Sequence, residues 1–192
     1  LNAVEDVVLV GPGRIGLAFA RVWPDAPLCG RSASIPPAHT TVLCVGEPDL
    51  PAALAAVPTG ARDGVVLIQN GLLRPWLSRR GLSAATRGVL RLAAPARDGV
   101  AVPGGTSVFH GPRAARVAGR LEDALGGGVA EGRSPPPPYE PAACAVDDPR
   151  AFAREEAEKL AWTCAFGVLG AVFGGTVGDA MAHHGDSLDA LL

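Results

Sequence analysis

The 192-residue chain carries 17 basic and 19 acidic side chains, and its formal charge of -2 excludes the strongly basic surface that binds nucleic acids. Its length suffices for one well-packed domain and part of a second. Its four cysteines, Cys29, Cys44, Cys144 and Cys164, and its four histidines show no disulfide or metal-ligand spacing. We therefore expect no metal site. We expect free thiols in a reducing intracellular compartment, either the cytoplasm or an organelle entered with a targeting peptide that is later removed.

A glycine-rich turn stands near the start of the chain, between an apolar strand pattern and a helix pattern in Val7–Arg21. Gly11 is expected to form the tight turn, Gly13 to let the backbone approach a pyrophosphate, and Gly16 to let the helix lie close to the strand. The phosphates would meet the N–H groups at the helix N-terminus. The predicted cofactor residues of this turn are Gly11, Pro12, Gly13, Arg14, Ile15 and Gly16. The pattern predicts dinucleotide binding, with an ordinary Gly-rich turn as the alternative.

The residues after the second predicted strand, Leu28–Cys29, indicate which dinucleotide is bound. An acid at this place reads the 2′-hydroxyl of the adenosine ribose, whereas an arginine accepts a 2′-phosphate. This chain has Arg31 there, and Ser32 adds a hydroxyl. The pair predicts NADP (NADPH) rather than NAD. A solvated arginine in a turn is the alternative.

The rest of the first 134 residues alternates strand and helix patterns. The predicted strands are Thr41–Val45, Gly64–Ile68, Gly88–Ala93 and the short Val129–Ala130; the predicted helices are Leu50–Val57 (capped by Asp49), Leu72–Arg80 and Pro112–Leu125; and Gly99–Val102 is predicted to pair with Thr106–Phe109. This order predicts an α/β fold, a Rossmann-like, mostly parallel sheet with flanking helices, followed by a truncated C-terminal helical segment. The predicted parts are a Rossmann-like NADP-binding domain (1–134), a Pro-rich linker (135–149) and a truncated helical domain (150–192).

The segment after the linker begins with a helix cap at Asp147–Pro149, and then runs from Leu160 to Gly178 without a charged residue. Its several glycines and threonines dilute the apolar character, so we expect a buried helix and a break rather than a membrane span. Within this chain only the Rossmann domain could cover one side of it. We therefore expect a homo-oligomer or a protein partner to cover Leu160–Val177.

The order of these features resembles the ketopantoate reductase (2-dehydropantoate 2-reductase) family. The segments that carry the resemblance are Gly11–Gly16, Arg31, Ile68–Gly71, Val108–Gly111, Glu158–Thr163 and Thr176–Asp179. The resemblance implies a Rossmann domain with a helical second domain, NADPH as the cofactor and a 2-keto acid as the substrate. It also implies that Gln69 and Asn70 lie at the cofactor, with Asn70 beside the nicotinamide. Lys159 would bind the substrate carbonyl as general acid.

Departures from the family pattern define a second hypothesis, and one of them is a span between Arg31 and Val42 that is too short for the usual helix and strand. Thr163 replaces the family's second asparagine, one turn after Lys159, and offers one donor where an amide offers two. Glu47 follows the strand after which the family usually has a lysine, and the chain ends where the family's helical domain continues. One hypothesis is an NADPH-dependent 2-keto acid reductase with an incomplete substrate domain, in which Asn70, Lys159 and Thr163 form the catalytic set. The alternative is a catalytically degenerate Rossmann protein that acts as a structural or assembly subunit.

The residues around Lys159 also allow a simpler reading. Glu155 stands four positions earlier, which is the favourable order for an ion pair on the surface of a helix. The sequence alone therefore leaves open whether Lys159 is a proton donor or one half of a surface ion pair.

Overall fold

The computed structural model describes residues 7–94, 96–97, 101–125 and 141–175, together with Asp179 and His183. Its strands are β1 (Val7–Val10), β2 (Leu28–Cys29), β3 (Thr40–Leu43), β4 (Val65–Leu67), β5 (Thr86–Val89), β6 (Leu92–Ala93), β7 (Val102–Pro103), β8 (Ser107–His110) and β9 (Ala143–Ala145). Its α-helices are α1 (Arg14–Val22), α2 (Leu50–Ala56), α3 (Arg74–Ser78), α4 (Ala114–Leu125) and α5 (Pro149–Phe173).

Seven of the strands form one sheet in the order β2-β1-β3-β4-β5-β8-β9. The first five run parallel, β8 runs antiparallel to β5, and β9 runs parallel to β8. All four residues of β1 are buried, as expected of a central parallel strand that is covered by helices on both faces. The predicted Rossmann-like, mostly parallel α/β fold is confirmed.

The core lies on the two faces of this sheet. Alternate residues of β1 divide between two apolar clusters, because successive side chains of a strand point to opposite faces. Leu9 lies in the cluster that includes residues of α1 and α4, such as Phe19 and Leu121. Val8 lies in the cluster that includes residues of α2 and α3, such as Leu54. Helices therefore pack on both faces of the sheet and support the edge at which its parallel strands end.

Helix α5 packs on the sheet with its first half only. Its N-terminus is capped by Asp148, whose carboxylate accepts a hydrogen bond from the Arg150 N–H at 2.9 Å, as predicted. Phe152 is fully buried and packs against Val89 of β5 and Val108 of β8. The helix then continues past the sheet through the glycine-containing segment and ends at Phe173, where Gly174 has a φ of 72°. The expected break therefore comes at Gly174, because Gly174 and Gly175 have positive φ values of 72° and 86°, which favour glycine and end a helix.

Two sequence predictions about the middle of the chain are wrong. The predicted strand Gly88–Ala93 is two strands, because the chain leaves the main sheet after β5. The backbone of Arg91 bonds instead to the Ser107 hydroxyl at 3.0 Å and to the Gly104 N–H at 2.7 Å.

The predicted antiparallel pair of Gly99–Val102 with Thr106–Phe109 does not form. Instead β7 pairs with β6, and β8 joins the main sheet between β5 and β9. This pairing buries Phe109 completely, and a detached two-strand ribbon could not provide such burial. Gly99 and Val100 lie outside the described residues.

Other predictions hold with shifted boundaries or lie outside the described residues. Helix α3 is shorter than Leu72–Arg80 and has Pro75 in its first turn, as expected. Val129–Ala130, residues 135–140 of the predicted linker, and the residues Thr176 to Gly178 are not described. The rest of that linker contains β9, which belongs to the main sheet, and the division into 1–134, 135–149 and 150–192 stays a prediction. Within the described part of the chain, no helix has the combined length and apolarity that crossing a membrane needs.

Candidate functional site

A cleft of about 650 Å³ lies at the edge of the sheet where the parallel strands β1, β2 and β3 end. This is the edge at which parallel α/β sheets bind their ligands. The residues that line the cleft include Gly11, Pro12, Gly13, Gly30, Arg31, Cys44, Gly46, Asp49 and Arg97. Burial raises the pKa of the Cys44 thiol to about 12, so this side chain stays a neutral thiol and supplies no nucleophile.

The glycine-rich turn has the shape that the sequence predicts. A Cβ atom added to Gly16 would lie 1.9 Å from the Gly11 carbonyl oxygen, so this position admits only glycine. Gly11 has a φ of 104°, and its added Cβ would lie 2.9 Å from the Cys44 carbonyl oxygen. At Gly13 an added Cβ would meet nothing within 4 Å. The protein itself therefore leaves the backbone open at Gly13, beside the N-terminus of α1, where a phosphate group fits.

The other predicted cofactor residues near this turn, Pro12, Arg14, Ile15 and Ser32, have different surroundings. Ile15 is half-buried and packs against the core cluster on its face of the sheet. Arg14 is exposed, and neither it nor Ser32 is among the residues that line the cleft. Pro12 lines the cleft. Of the cofactor residues predicted in this turn, Gly11, Pro12 and Gly13 therefore line the cleft.

Arg31 lies at the cleft but already has an anionic partner. Its Nη2 atom donates to both carboxylate oxygens of Asp49, at 3.1 and 3.2 Å. Asp49 was predicted to cap α2; instead it makes no capping hydrogen bond, and a 3-10 turn over Glu47–Asp49 precedes the helix. This prediction is wrong because the carboxylate turns toward the guanidinium across the cleft.

A second, much smaller pocket brings Asn70 and Lys159 together. Its volume is about 20 Å³, and its lining includes Asn70 from the end of β4, Lys159 from α5, and the charged residues Arg87 and Glu156. A space of this size admits about one water molecule. The two residues thus line one small space, although they belong to different parts of the chain.

The side chain of Gln69 forms hydrogen bonds within the protein and does not line the large cleft. Its side-chain amide nitrogen donates to the carbonyl oxygens of Leu43 at 2.6 Å and Val45 at 3.0 Å. It therefore ties the end of β4 to the end of β3 and fixes the backbone from which Asn70 projects. Gln69 also lines the small pocket.

The charged groups around Lys159 show whether this residue forms the surface ion pair that the sequence allows. Glu155 does not pair with it; the Glu155 carboxylate lies 2.7 Å from Arg91 Nη1. Among the described residues no carboxylate forms an ion pair with Lys159. Burial, followed by the positive charge of Arg91, lowers the pKa of Lys159 below its ordinary value of 10.5. The alternative of a surface ion pair between Glu155 and Lys159 is therefore not what the structure shows.

Thr163 does not join the pocket. Its hydroxyl donates to the Lys159 carbonyl oxygen at 2.8 Å, one turn back along α5, and the side chain is exposed. The hydroxyl thus satisfies the helix backbone, a common arrangement for threonine in helices. The structure brings Asn70 and Lys159 together and leaves Thr163 outside.

Several charged residues that position α5 were not singled out from the sequence. Arg87, in β5, forms a buried ion pair with Glu156, and Arg74 Nε lies 3.3 Å from the other oxygen of that carboxylate. The Arg87 guanidinium also lies over the Phe152 ring, 4.8 Å from its centre. An arginine inside a strand pattern was the available signal, because a buried charge requires a partner. Arg97 in the large cleft was missed as well.

These features define the Rossmann-like class of α/β folds, with a glycine-rich turn at the carboxyl edge of a parallel sheet. Among the part of the chain that the structure describes, no group of three or more His, Cys, Asp or Glu side chains could hold a metal ion. No protein-family model and no curated protein sequence matches the chain.

Solved structures share the fold along nearly the whole chain, and many of them are ketopantoate reductases. A dimeric ketopantoate reductase from Staphylococcus aureus has 12% identity and a TM-score of 0.60, over 96% of this chain and 73% of that one. A 2-dehydropantoate 2-reductase from Methylococcus capsulatus has 14% identity and a TM-score of 0.63, over 96% and 70%. A reductive aminase from Aspergillus terreus, in complex with NADPH and ethyl levulinate, has 15% identity and a TM-score of 0.56, over 98% and 74%. The resemblance expected from the sequence is confirmed at the level of the fold.

Proposed function

We propose that this chain binds a reduced nicotinamide dinucleotide at the glycine-rich turn and reduces a small 2-keto acid between Asn70 and Lys159. The observation that carries the proposal is the pocket that Asn70 and Lys159 share, since these residues lie far apart in the sequence and on different elements. The fold shared with ketopantoate reductases supports the same reaction class.

The residues that would hold the dinucleotide are Gly11, Pro12 and Gly13 at the phosphates, with Arg31 and Arg97 as the cations of the cleft. Arg31 favours the phosphorylated dinucleotide, NADPH. When bound, the reduced nicotinamide supplies the hydride that adds to the carbonyl carbon of the substrate. The remaining work belongs to side chains of the chain itself.

Lys159 is proposed as the proton donor. In its protonated form the Nζ atom donates a hydrogen bond to the substrate carbonyl oxygen and stabilises the negative charge that develops there. One proton then passes from Nζ to this oxygen, which becomes the hydroxyl of a 2-hydroxy acid, and Lys159 is left neutral until solvent reprotonates it. The lowered pKa of Lys159 makes this proton easier to give. The Asn70 amide both donates and accepts, and can orient the reacting groups.

Substrate entry requires the small pocket to widen. Its volume of about 20 Å³ is too small for any keto acid. The proposal therefore includes a displacement of α5 away from the end of β4. Arg87 and Glu156, which line the same pocket, are at the contact that such a displacement would change.

The experiment measures binding and turnover separately. NADPH and NADH are titrated into the protein by calorimetry, and the nicotinamide absorbance is then followed with ketopantoate and with smaller 2-keto acids. Binding and turnover by the wild type, with turnover lost and binding kept in Lys159→Ala, support the proposal. Arg154→Ala is the matched control, because Arg154 is an exposed cation on the same helix that does not line the pocket. Absence of binding, or turnover that survives Lys159→Ala, would contradict it.

A second candidate, a non-catalytic subunit of an assembly, is favoured by the exposed end of α5. The large apolar side chains Trp162, Val168, Val172 and Phe173 are all between 43% and 65% exposed. A stripe of such residues on one helix is unusual for a surface that stays in water. Thr176 and Val177, the last residues of the expected partner-covered segment, lie outside the described residues.

Sedimentation of the wild type and of a Val172→Ser/Phe173→Ser variant separates the two candidates. Assembly that the double variant abolishes, in a protein that binds no nucleotide, supports the subunit. A monomeric wild type that turns over a keto acid supports the reductase alone. Both substitutions lie on exposed positions, so the helix itself should be preserved.

A further inference from the structure

We infer that Asp49 is a cofactor-selectivity residue, which weakens the preference of the large cleft for a 2′-phosphorylated dinucleotide by engaging Arg31. This inference rests on the proposed function, because it concerns the same cleft. Arg31 alone predicts a strong preference for the phosphorylated form. The contact with Asp49 changes that expectation.

The geometry shows direct competition for one cation. Both carboxylate oxygens of Asp49 accept from the same guanidinium nitrogen of Arg31, at 3.1 and 3.2 Å. An arginine binds a phosphate best through two parallel N–H groups, and Nη2 belongs to both edges of the guanidinium that can form such a pair. The carboxylate therefore competes with a 2′-phosphate for Nη2, while Nε and Nη1 are not engaged by Asp49.

The charge of Asp49 also weakens the attraction of the cleft for a 2′-phosphate. The ion pair has no net charge, so Arg31 gives little long-range attraction to a phosphate dianion while Asp49 remains beside it. If the phosphate displaces Asp49, the carboxylate stays nearby and repels it. Both residues line the cleft, so the repulsion falls on the ligand itself.

The solvent exposure of Arg31 and Asp49 limits how much their ion pair can change the cofactor preference. The Arg31 side chain is 86% exposed and that of Asp49 is 54% exposed, so the pair is weak and is screened by salt. Asp49 thus lowers the preference for the phosphorylated cofactor without abolishing it. Arg97, which also lines the cleft, remains available to phosphates common to both dinucleotides.

The test compares two fragments of the cofactors, 2′,5′-ADP and 5′-AMP, which differ in the 2′-phosphate. Each is titrated by calorimetry into the wild type and into Asp49→Asn at low ionic strength. We expect Asp49→Asn to bind 2′,5′-ADP about threefold to fivefold more tightly, as removal of an exposed ion pair allows. The affinity for 5′-AMP should change less than about twofold. The gain should shrink as salt is added.

Two further variants make the result specific. Glu47→Gln removes the same charge two residues away, at a position that does not line the cleft, and should give no gain. In an Arg31→Gln background the gain from Asp49→Asn should fall, because the competition is for Arg31. Circular dichroism checks that each variant is folded.

The outcomes separate the inference from the function on which it rests. Selective tightening for 2′,5′-ADP that depends on Arg31 supports the inference. Equal tightening for both ligands, no change, or the same gain from Glu47→Gln overturns the inference alone. If neither fragment nor NADH binds to any variant, both the inference and the proposed function are wrong.

Discussion

Arg91 forms an ion pair with Glu155, the carboxylate one helical turn before Lys159. Its Nη1 atom lies 2.7 Å from Glu155 Oε2, and its Nη2 atom lies 3.1 Å from Glu158 Oε1. The single lysine of the sequence is thereby left with a cationic neighbour in place of an anionic one. This arrangement suits a group that must give up a proton.

The first prediction concerns the pKa of Lys159. Replacement of Arg91 by glutamine should raise this pKa, because a positive charge is removed and Glu155 is released to pair with the lysine. Reductive methylation with ¹³C-formaldehyde labels only Lys159 and the N-terminal amine, and the two resonances can be followed against pH. Arg154→Gln, on the exposed side of the same helix, should leave the titration unchanged. An unaltered curve in Arg91→Gln would show that Arg91 does not tune the lysine.

The second prediction follows from the sign of that shift. The pKa of Lys159 is lower in the folded protein than in the unfolded chain, so the unfolded chain binds more protons between the two values. The contribution of Lys159 to the free energy of unfolding is therefore lowest below the folded-state pKa and rises with pH above it. Lys159→Met should be the more stable protein near neutral pH, and its advantage in urea unfolding should shrink as the pH approaches 10.5. An advantage that grows with pH would contradict this sign.

The third prediction distinguishes two glycines of the glycine-rich turn, Gly13 and Gly16. Gly16→Ala should lower the free energy of unfolding by about 1–3 kcal/mol, because its Cβ would lie 1.9 Å from the Gly11 carbonyl oxygen. Gly13→Ala should leave stability nearly unchanged, since its Cβ meets nothing within 4 Å, yet it should weaken nucleotide binding about tenfold. Urea unfolding and calorimetry measure the two effects on the same samples. Equal loss of stability in both variants would refute the distinction.

The fourth prediction concerns the buried ion pair between Arg87 and Glu156. Glu156→Leu should cost about 3–5 kcal/mol in urea unfolding, because it leaves a buried guanidinium without its carboxylate. The double variant Arg87→Met/Glu156→Leu should recover most of that loss, since no charge is then stranded. Glu158→Ala, which breaks a contact with a 57% exposed carboxylate, is the control and should cost less than about 1 kcal/mol. A double variant less stable than Glu156→Leu would argue against this account.

The sequence predicted those features that local chemistry determines. The apolar residues of β1 and the spacing of Gly11, Gly13 and Gly16 predict a strand, a turn and a helix, because these requirements act within a few residues. The cap at Asp148 is a local contact of the same kind. The proximity of Asn70 and Lys159 was expected only from the family resemblance, since no periodicity connects positions so far apart.

The features that the sequence did not predict depend on partners far along the chain. Glu155 has Lys159 at the favourable helical spacing, but Arg91 is a nearer cation in the folded protein. Asp49 stands where a helix cap is expected, but Arg31 comes within reach only when β2 and β3 flank β1. In both cases a long-range charge displaces a local preference worth only about 1 kcal/mol.

Helix α5 is a single unbroken rod of 25 residues, about 37 Å long at about 1.5 Å per residue. Its first half carries Lys159, and its second half carries Val172 and Phe173, which are 65% and 51% exposed. The pocket residue and the exposed apolar residues thus belong to one continuous helix that is anchored at Phe152. We therefore expect a molecule that binds Val172 and Phe173 to change the position of Lys159 relative to Asn70 as well.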